Sequence, residues 1–177
     1  MRSFIFGLLA SFAALPCFAA ETIEVRGLGT LPYQQLLEAV SNDGESLDAF
    51  IQRIAPELDA YSRKTGFEAC AVIAQEEGRF GLVIGTNHSH IFCANQASRV
   101  PDGMTTTGMT MHSHPIGNYY RVNAQDRLML GPLTRVGEQI KRGSSGFSKE
   151  DYESGPGYLV ESGRVLFQEG PKKNRIL

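Results

Sequence analysis

Two histidines one residue apart, His112 and His114, are the feature that most restricts how this chain can fold. They follow a run rich in Thr and Met, residues 105–111, whose composition predicts a β-strand. Side chains two positions apart point to nearly opposite sides of a helix, whereas on a strand they share one face. Both imidazoles can therefore converge on one metal ion if this segment is a strand. Two imidazoles with one carboxylate and a water are a ligand set of hydrolytic zinc sites, where three protein ligands leave one position open.

The first twenty residues predict a secretory signal peptide. Met1-Arg2 is followed by an apolar run from Phe4 to Leu15 and then by small residues that end in Ala19-Ala20. A basic start, a short apolar centre and small residues at the end are typical of a leader that is removed. The apolar run is shorter than the ~20 residues that a membrane-spanning helix needs. We therefore expect a signal peptide at 1–20, no membrane span, and a mature chain of residues 21–177 that is periplasmic or secreted.

The charge of the chain argues against a nucleic-acid partner. Lys and Arg number 17 and Asp and Glu number 19, which gives a formal net charge of −2 before the leader and its Arg2 are removed. Nucleic-acid-binding domains usually present a basic stripe or patch, and none is visible in this sequence. Residues 21–177 have the length of one domain and are enough to bury a sizeable core.

Hydrophobic periodicity predicts one long helix early in the mature chain. Apolar residues recur at helical spacing from Leu47 to Tyr61, which is typical of an amphipathic helix. Pro56 lies inside this stretch and predicts a kink or a restart of the helix. Gly66 is a plausible end, because glycine often follows the last turn of a helix.

The rest of the chain predicts mostly strands. Strand-like runs occupy residues 22–26, 67–74, 79–85, 91–93, 105–114, 157–160 and 164–167. Residues 116–146 have the character of an insertion, with a short helix from Asn123 to Leu130 and a second helical face through Leu133, Val136 and Ile140. The irregular alternation of helices and strands predicts a single-domain α/β fold, an α-β sandwich around a mixed, mainly antiparallel sheet.

The sequence leaves it undecided whether the mature chain contains a disulfide. Cys70 and Cys93 remain after removal of the leader, and an oxidising compartment favours a bond between them. If residues 67–74, 79–85 and 90–95 form a simple meander, the two cysteines flank the middle strand at about 9.6 Å, which is too far for a bridge. A different strand order would bring them together.

A third metal ligand can come from either of two segments downstream of the histidines. Phe147-Ser148-Lys149-Glu150-Asp151 offers a Ser-x-x-Asp pattern, and Asn123-Ala124-Gln125-Asp126 offers Asn-x-x-Asp closer to the histidine pair. Both patterns are also helix-capping signals. A general base is needed too, and Glu68 lies where the long helix gives way to a strand.

These elements occur in an order that resembles the JAMM (JAB/MPN) family of zinc metallopeptidases. The order is Glu68, then His112-Ser113-His114-Pro115, then Phe147–Asp151, then the strand Tyr158-Leu159-Val160, and it spans roughly residues 46–168. The resemblance implies a JAB/MPN-like, cytidine-deaminase-like architecture and one zinc ion held by His112, His114 and Asp151, with a water as the fourth ligand. It also implies that Glu68 is the general acid/base and that Ser148 supports the reacting oxygen.

The main departure from the family is the distance from the histidines to the serine. Family members usually reach this serine about seven residues after the second histidine, whereas Ser148 follows His114 by 34 positions. Asp126 lies nearer the expected distance but follows an Asn. The Phe-Ser start and the later strand favour Asp151, with residues 116–146 as a looped-out insertion, and Asp126 stays the alternative.

The resemblance predicts a zinc-dependent peptidase or isopeptidase with a peptide or protein substrate. One alternative is a non-catalytic domain of the same fold that binds a partner in the envelope. Another is metal storage or sensing, because His88-Ser89-His90 repeats the histidine spacing. This second pair has no Ser-x-x-Asp of its own nearby, and an exposed polar pair is the preferred interpretation of it.

Overall fold

The computed structural model describes residues 21–143 and 145–177, which form ten strands and three helices. The signal-peptide prediction for residues 1–20 lies outside the described residues. In chain order the elements are β1 (Glu21–Val25), β2 (Gly29–Val40), α1 (Leu47–Thr65), β3 (Cys70–Glu76), β4 (Arg79–Thr86), β5 (Thr105–His114), β6 (Tyr119–Arg121), α2 (Ala124–Leu130), β7 (Gln139–Lys141), α3 (Lys149–Glu153), β8 (Gly157–Glu161), β9 (Arg164–Gln168) and β10 (Asn174–Ile176). No helix in the described part of the chain is long and apolar enough to cross a membrane.

Eight of the strands form one sheet in the order β1-β2-β4-β3-β5-β8-β9-β10. The pairing of β5 with β8 is parallel, and the other neighbouring pairs of this sheet are antiparallel. This confirms the prediction of an α/β fold with a mixed, mainly antiparallel sheet. The central strands β3, β4 and β8 each contain a run of five or six consecutive buried residues, as expected for strands covered on both faces.

The helix α1 covers one face of the sheet. Its N-cap residue Ser46 accepts a hydrogen bond from the backbone N–H of Ala49, and Gly66 ends it in the left-handed conformation at φ 77°. The chain passes Pro56 without a restart of the helix. Pro56 is exposed, so the carbonyl that loses its helical partner there can bind water. The buried face of α1 packs on β5, β8 and their neighbours; its members are Phe50, Ile51, Ile54, Ala55, Leu58 and Ser62.

Side chains of β5 alternate between α1 and the opposite face of the sheet. Ser113 is fully buried, and its Oγ lies 2.6 Å from the Oγ of Ser62 on α1. The same Oγ accepts a hydrogen bond from the backbone N–H of Ala69 at 3.0 Å. Because alternate residues of a strand face opposite ways, His112 and His114 point away from α1. Ser113 therefore fixes the histidine strand relative to the segment that carries Glu68.

The predicted strand at residues 91–93 is wrong, and this explains the disulfide. Both edges of β3 and of β4 are already paired, so the chain after β4 has no free strand edge to join there. Instead the side chain of Asn87 holds this loop by accepting from the backbone N–H of Ala94. The loop brings Cys93 to Cys70, with their Cα atoms 5.8 Å apart, and the two form a disulfide.

The predicted second helical face at Leu133, Val136 and Ile140 is also wrong. Residues 139–141 form β7, which pairs with β6 as a separate two-stranded antiparallel sheet. Leu133 is 96% exposed, so its apolar side chain marks no buried helical face. Gly131 ends α2 and Gly137 adopts φ 89°, a conformation that interrupts a right-handed helix. The predicted short helix from Asn123 to Leu130 is confirmed as α2.

Candidate metal centre

His112, His114 and Asp151 form a group that could hold a metal ion. One potential ligand atom from each lies within 4.8 Å of the others, and no other such group of three or more occurs in residues 21–143 and 145–177. Nε2 of His112 is 3.1 Å from Oδ1 of Asp151, and Nε2 of His114 is 3.8 Å from Oδ2. The three side chains are 13%, 17% and 18% exposed, so they are shielded but reachable from one side.

A helix cap orients the carboxylate of Asp151. Ser148 is the N-cap of α3, and its Oγ accepts a hydrogen bond from the backbone N–H of Asp151 at 3.1 Å. In return, Oδ2 of Asp151 accepts from the backbone N–H of Ser148 at 2.6 Å. The other carboxylate oxygen is left facing His112. The capping pattern and the ligand pattern, which compete as interpretations of the sequence, are here the same structure.

The buried Nε2 of His112 supports a metal at this position. It has no hydrogen-bond partner in the described part of the chain, because Asp151 lies close to it without the alignment of a hydrogen bond. Buried polar atoms in proteins nearly always have a partner, and an unmet one needs an explanation. A cation between the two histidines and Asp151 would satisfy this nitrogen. Imidazole and carboxylate groups together suit zinc and related first-row metals.

Glu161 supports His114 from behind. The parallel register of β5 and β8 places His114 beside Glu161, and Nδ1 of the histidine lies 3.7 Å from Oε1 of the glutamate. The backbone N–H of Gly146 donates to Oε2 at 3.0 Å and holds the carboxylate. The His114 imidazole keeps the pKa of Glu161 below its ordinary value. Burial works against a charged His114, but Glu161, Glu68 and Asp151 together raise the pKa of this histidine.

Glu68 borders the same cleft but is not a member of the ligand group. It is only 8% exposed, and burial raises the pKa of its carboxyl group, an effect that the nearby His114 and His112 partly offset. Its backbone is fixed at both ends: its N–H donates to the carbonyl of Ser89, and its carbonyl accepts from the hydroxyl of Thr86. The carboxylate has no hydrogen bond of its own within residues 21–143 and 145–177, so it is free to bind a water or a substrate.

Ser148 also lines this cleft. Its Oγ uses a lone pair to accept from the backbone of Asp151, as described above, which leaves the hydroxyl proton available. The structure therefore gathers all five predicted site residues, Glu68, His112, His114, Ser148 and Asp151, around one cleft of about 790 Å³.

The alternative ligand Asp126 belongs to a different group. It is fully buried and accepts from Nδ1 of His90 at 2.7 Å, from the hydroxyl of Ser89 and from the backbone of Asn123. Burial would raise the pKa of Asp126, but these donors hold it below the ordinary value. The structure thus brings Asp151, and not Asp126, to the histidine pair.

The second histidine pair is neither exposed nor convergent. His88 and His90 are both half-buried, which corrects the expectation of an exposed polar pair. Nε2 of His88 lies 2.9 Å from the side-chain oxygen of Gln34, while His90 turns to Asp126. Because the two rings have separate partners, they do not share a metal site in the described part of the chain.

No protein-family model, curated protein or solved structure matches this chain. A fold by itself would not define the activity, because one fold hosts many functions. The chemistry of the side chains in the cleft is therefore what supports a functional assignment.

Proposed function

We propose that this protein is a zinc-dependent peptidase or isopeptidase of the JAMM (JAB/MPN) type, with the corresponding α-β sandwich, acting in the periplasm or outside the cell. The observation that carries the proposal is the convergence of His112, His114 and Asp151 on a cleft that also holds the buried carboxylate of Glu68. A ligand group of this composition next to a separate carboxylate is the arrangement that hydrolytic metal sites use.

His112, His114 and Asp151 would hold the zinc, and Glu161 would keep the His114 ring oriented. A zinc ion bound there supplies a Lewis acid that lowers the pKa of a coordinated water towards about 7 and polarises a carbonyl oxygen. Proton transfer and stabilisation of negative charge would fall to the other side chains of the cleft.

Glu68 is placed to move the proton. Its burial raises the pKa of the carboxyl group, which brings its proton affinity closer to that needed at neutral pH. It would accept a proton from the attacking water and return it to the amine that leaves. General acid–base help of this kind is worth about 10²–10⁴ in rate.

Ser148 is placed to stabilise negative charge. Its hydroxyl proton is not used by the cap of α3, so it can donate to the oxygen of a carbonyl under attack. Donors aimed at such an oxygen are worth about 10²–10³ in rate. Because the same side chain orients Asp151, Ser148 would link the ligand group to the reacting carbonyl.

The first test is metal-dependent cleavage by the mature chain, residues 21–177. We expect the purified protein to hydrolyse members of a panel of linear and lysine-isopeptide-linked peptides, followed by mass spectrometry. Removal of metal with a chelator should abolish the cleavage, and stoichiometric Zn²⁺, but not Mg²⁺, should restore it. A protein that binds zinc tightly but cleaves no member of the panel would instead support a non-catalytic binding domain.

Replacement of Glu161 with alanine should weaken zinc binding by about 10–100-fold, because the ring of His114 loses its supporting carboxylate. Competition with a zinc-binding dye measures this affinity. Glu153→Ala is the matched control, since Glu153 is an exposed glutamate that pairs with Lys149 on the surface of α3. Equal zinc affinities for the wild type and Glu161→Ala would show that Glu161 does not contribute to metal binding.

A further inference from the structure

Arg142 brings a fixed positive charge to the cleft. It follows β7 directly and lines the cleft together with Glu68 and the three candidate ligands. Among the described residues of the cleft wall it is the only Lys or Arg. The other fixed charges there are carboxylates: Glu68, Glu150, Asp151 and Glu161.

The guanidinium of Arg142 is held rigidly. Its Nη1 donates to the backbone carbonyl of His90 at 2.6 Å, and its central carbon lies 5.2 Å from the centre of the Tyr120 ring. Tyr120 in turn stacks on His90, with ring centres 5.3 Å apart, and His90 is fixed by the buried Asp126. The Asp126–His90 pair therefore acts as a scaffold for Arg142.

The charge of Arg142 has no carboxylate partner in contact within the part of the chain that the structure describes. No carboxylate of residues 21–143 or 145–177 lies within 4.0 Å of it, and its buried Nε has no hydrogen-bond partner among them. The bond to His90 uses Nη1, and the Nε–Nη2 edge, whose N–H groups point the same way, has no acceptor among the described residues. Burial lowers the pKa of Arg142, an effect that the nearby Glu68, Tyr120 and Asp126 partly offset.

A half-buried arginine that is anchored but unpaired is costly unless a ligand completes it. The fork of a guanidinium matches a carboxylate, with which it makes two parallel hydrogen bonds. Because the other fixed charges of the cleft wall are carboxylates, an anionic group would meet a positive charge there only at Arg142 or at a bound metal. The site therefore favours an anionic group at one end of whatever occupies it.

We propose that Arg142 binds a carboxylate of the substrate and so selects peptides that carry one near the bond to be cleaved. This inference rests on the proposed peptidase function. The carboxylate can be the C-terminus of the peptide or the side chain of an acidic residue. In either case Arg142 acts as a specificity residue, and it takes no part in moving protons.

Binding of three small probes tests this directly. They are N-acetyl-alanyl-alanine, its C-terminal amide, and N-acetyl-aspartyl-alanine amide, each titrated by calorimetry into the zinc-loaded Glu68→Gln protein so that hydrolysis does not interfere. We expect at least one of the carboxylate probes to bind about tenfold or more tightly than the neutral amide, the size of a charge-assisted hydrogen bond. The carboxylate probe that binds more tightly than the amide shows whether Arg142 prefers a C-terminal carboxylate or an acidic side chain.

The same titration with Arg142→Gln should abolish the preference, and Arg142→Lys should keep part of it. Lys141→Gln, which removes a neighbouring exposed charge, should leave it unchanged. The proposal would be overturned if the Glu68→Gln protein with Arg142 intact showed no preference. It would also be overturned if the preference survived Arg142→Gln with the zinc content intact. Cleavage of peptides without any carboxylate preference would support the peptidase proposal and contradict the role of Arg142. A preference without cleavage would support carboxylate binding by Arg142 and contradict the peptidase proposal.

Discussion

Replacement of Glu68 with glutamine is expected to slow amide hydrolysis by about 10²–10⁴-fold while zinc stays bound. Glutamine has nearly the same shape as glutamate, so the buried site should keep its packing. It cannot accept a proton from water, so the step assigned to Glu68 is lost. Because Glu68 lies outside the ligand group, the substitution should leave the zinc affinity unchanged.

Steady-state rates with the best peptide of the cleavage panel, together with zinc content, give the two readouts. Glu77→Gln is the matched control, since Glu77 is an exposed glutamate in the turn between β3 and β4. Its rate should equal that of the wild type. If Glu68→Gln cleaved as fast as the wild type with zinc in place, Glu68 would not be the base.

Replacement of His112 with alanine should remove the metal and, with it, the activity. His112 supplies one of three side chains, and its Nε2 is a buried atom without a hydrogen-bond partner in the described part of the chain. Loss of a direct ligand should exceed the ~10–100-fold loss typical of a supporting group such as Glu161. We expect one zinc per chain in the wild type and almost none in His112→Ala.

Elemental analysis after dialysis against a weak chelator measures this stoichiometry, with circular dichroism as the check on folding. His88→Ala is the matched control because His88 belongs to the second His-x-His pair and bonds to Gln34. It should retain one zinc. A His112→Ala protein that keeps its zinc, or a His88→Ala protein that loses it, would place the metal elsewhere.

Local patterns predicted the parts of the site that depend on local structure. A strand at residues 105–114 is enough to put His112 and His114 on one face, and this strand is present as β5. The cap at Ser148 is likewise local, because a serine and an aspartate three residues apart bond to each other's backbone. The helix α1 and its end at Gly66 follow from apolar spacing and from glycine at the left-handed position.

Non-local pairing was beyond the reach of these patterns. Glu161 supports His114 through the parallel register of β5 and β8, and nothing near either residue indicates that register. The one available signal was an acidic residue at the end of the apolar run Tyr158-Leu159-Val160. The wrong prediction of a strand at residues 91–93 has the same cause, because only the strand order shows that β3 and β4 have no free edge for it to join.

Asp126 and Asp151 each combine two roles, helix capping and contact with a histidine. Asn123 and Asp126 form a capping box at α2 just as Ser148 and Asp151 do at α3. Each aspartate then meets a histidine, Asp126 at His90 and Asp151 at His112. The sequence favours Asp151 as the third ligand and leaves Asp126 as the alternative, and the tertiary position of each helix decides between them.

X-ray diffraction data from crystals of the zinc-loaded chain of residues 21–177, collected on both sides of the zinc absorption edge, test the central claim most directly. We expect one strong anomalous peak within bonding distance of Nε2 of His112, Nε2 of His114 and a carboxylate oxygen of Asp151. A peak at His90 and Asp126 instead, or no peak at the histidine pair of β5, would contradict it.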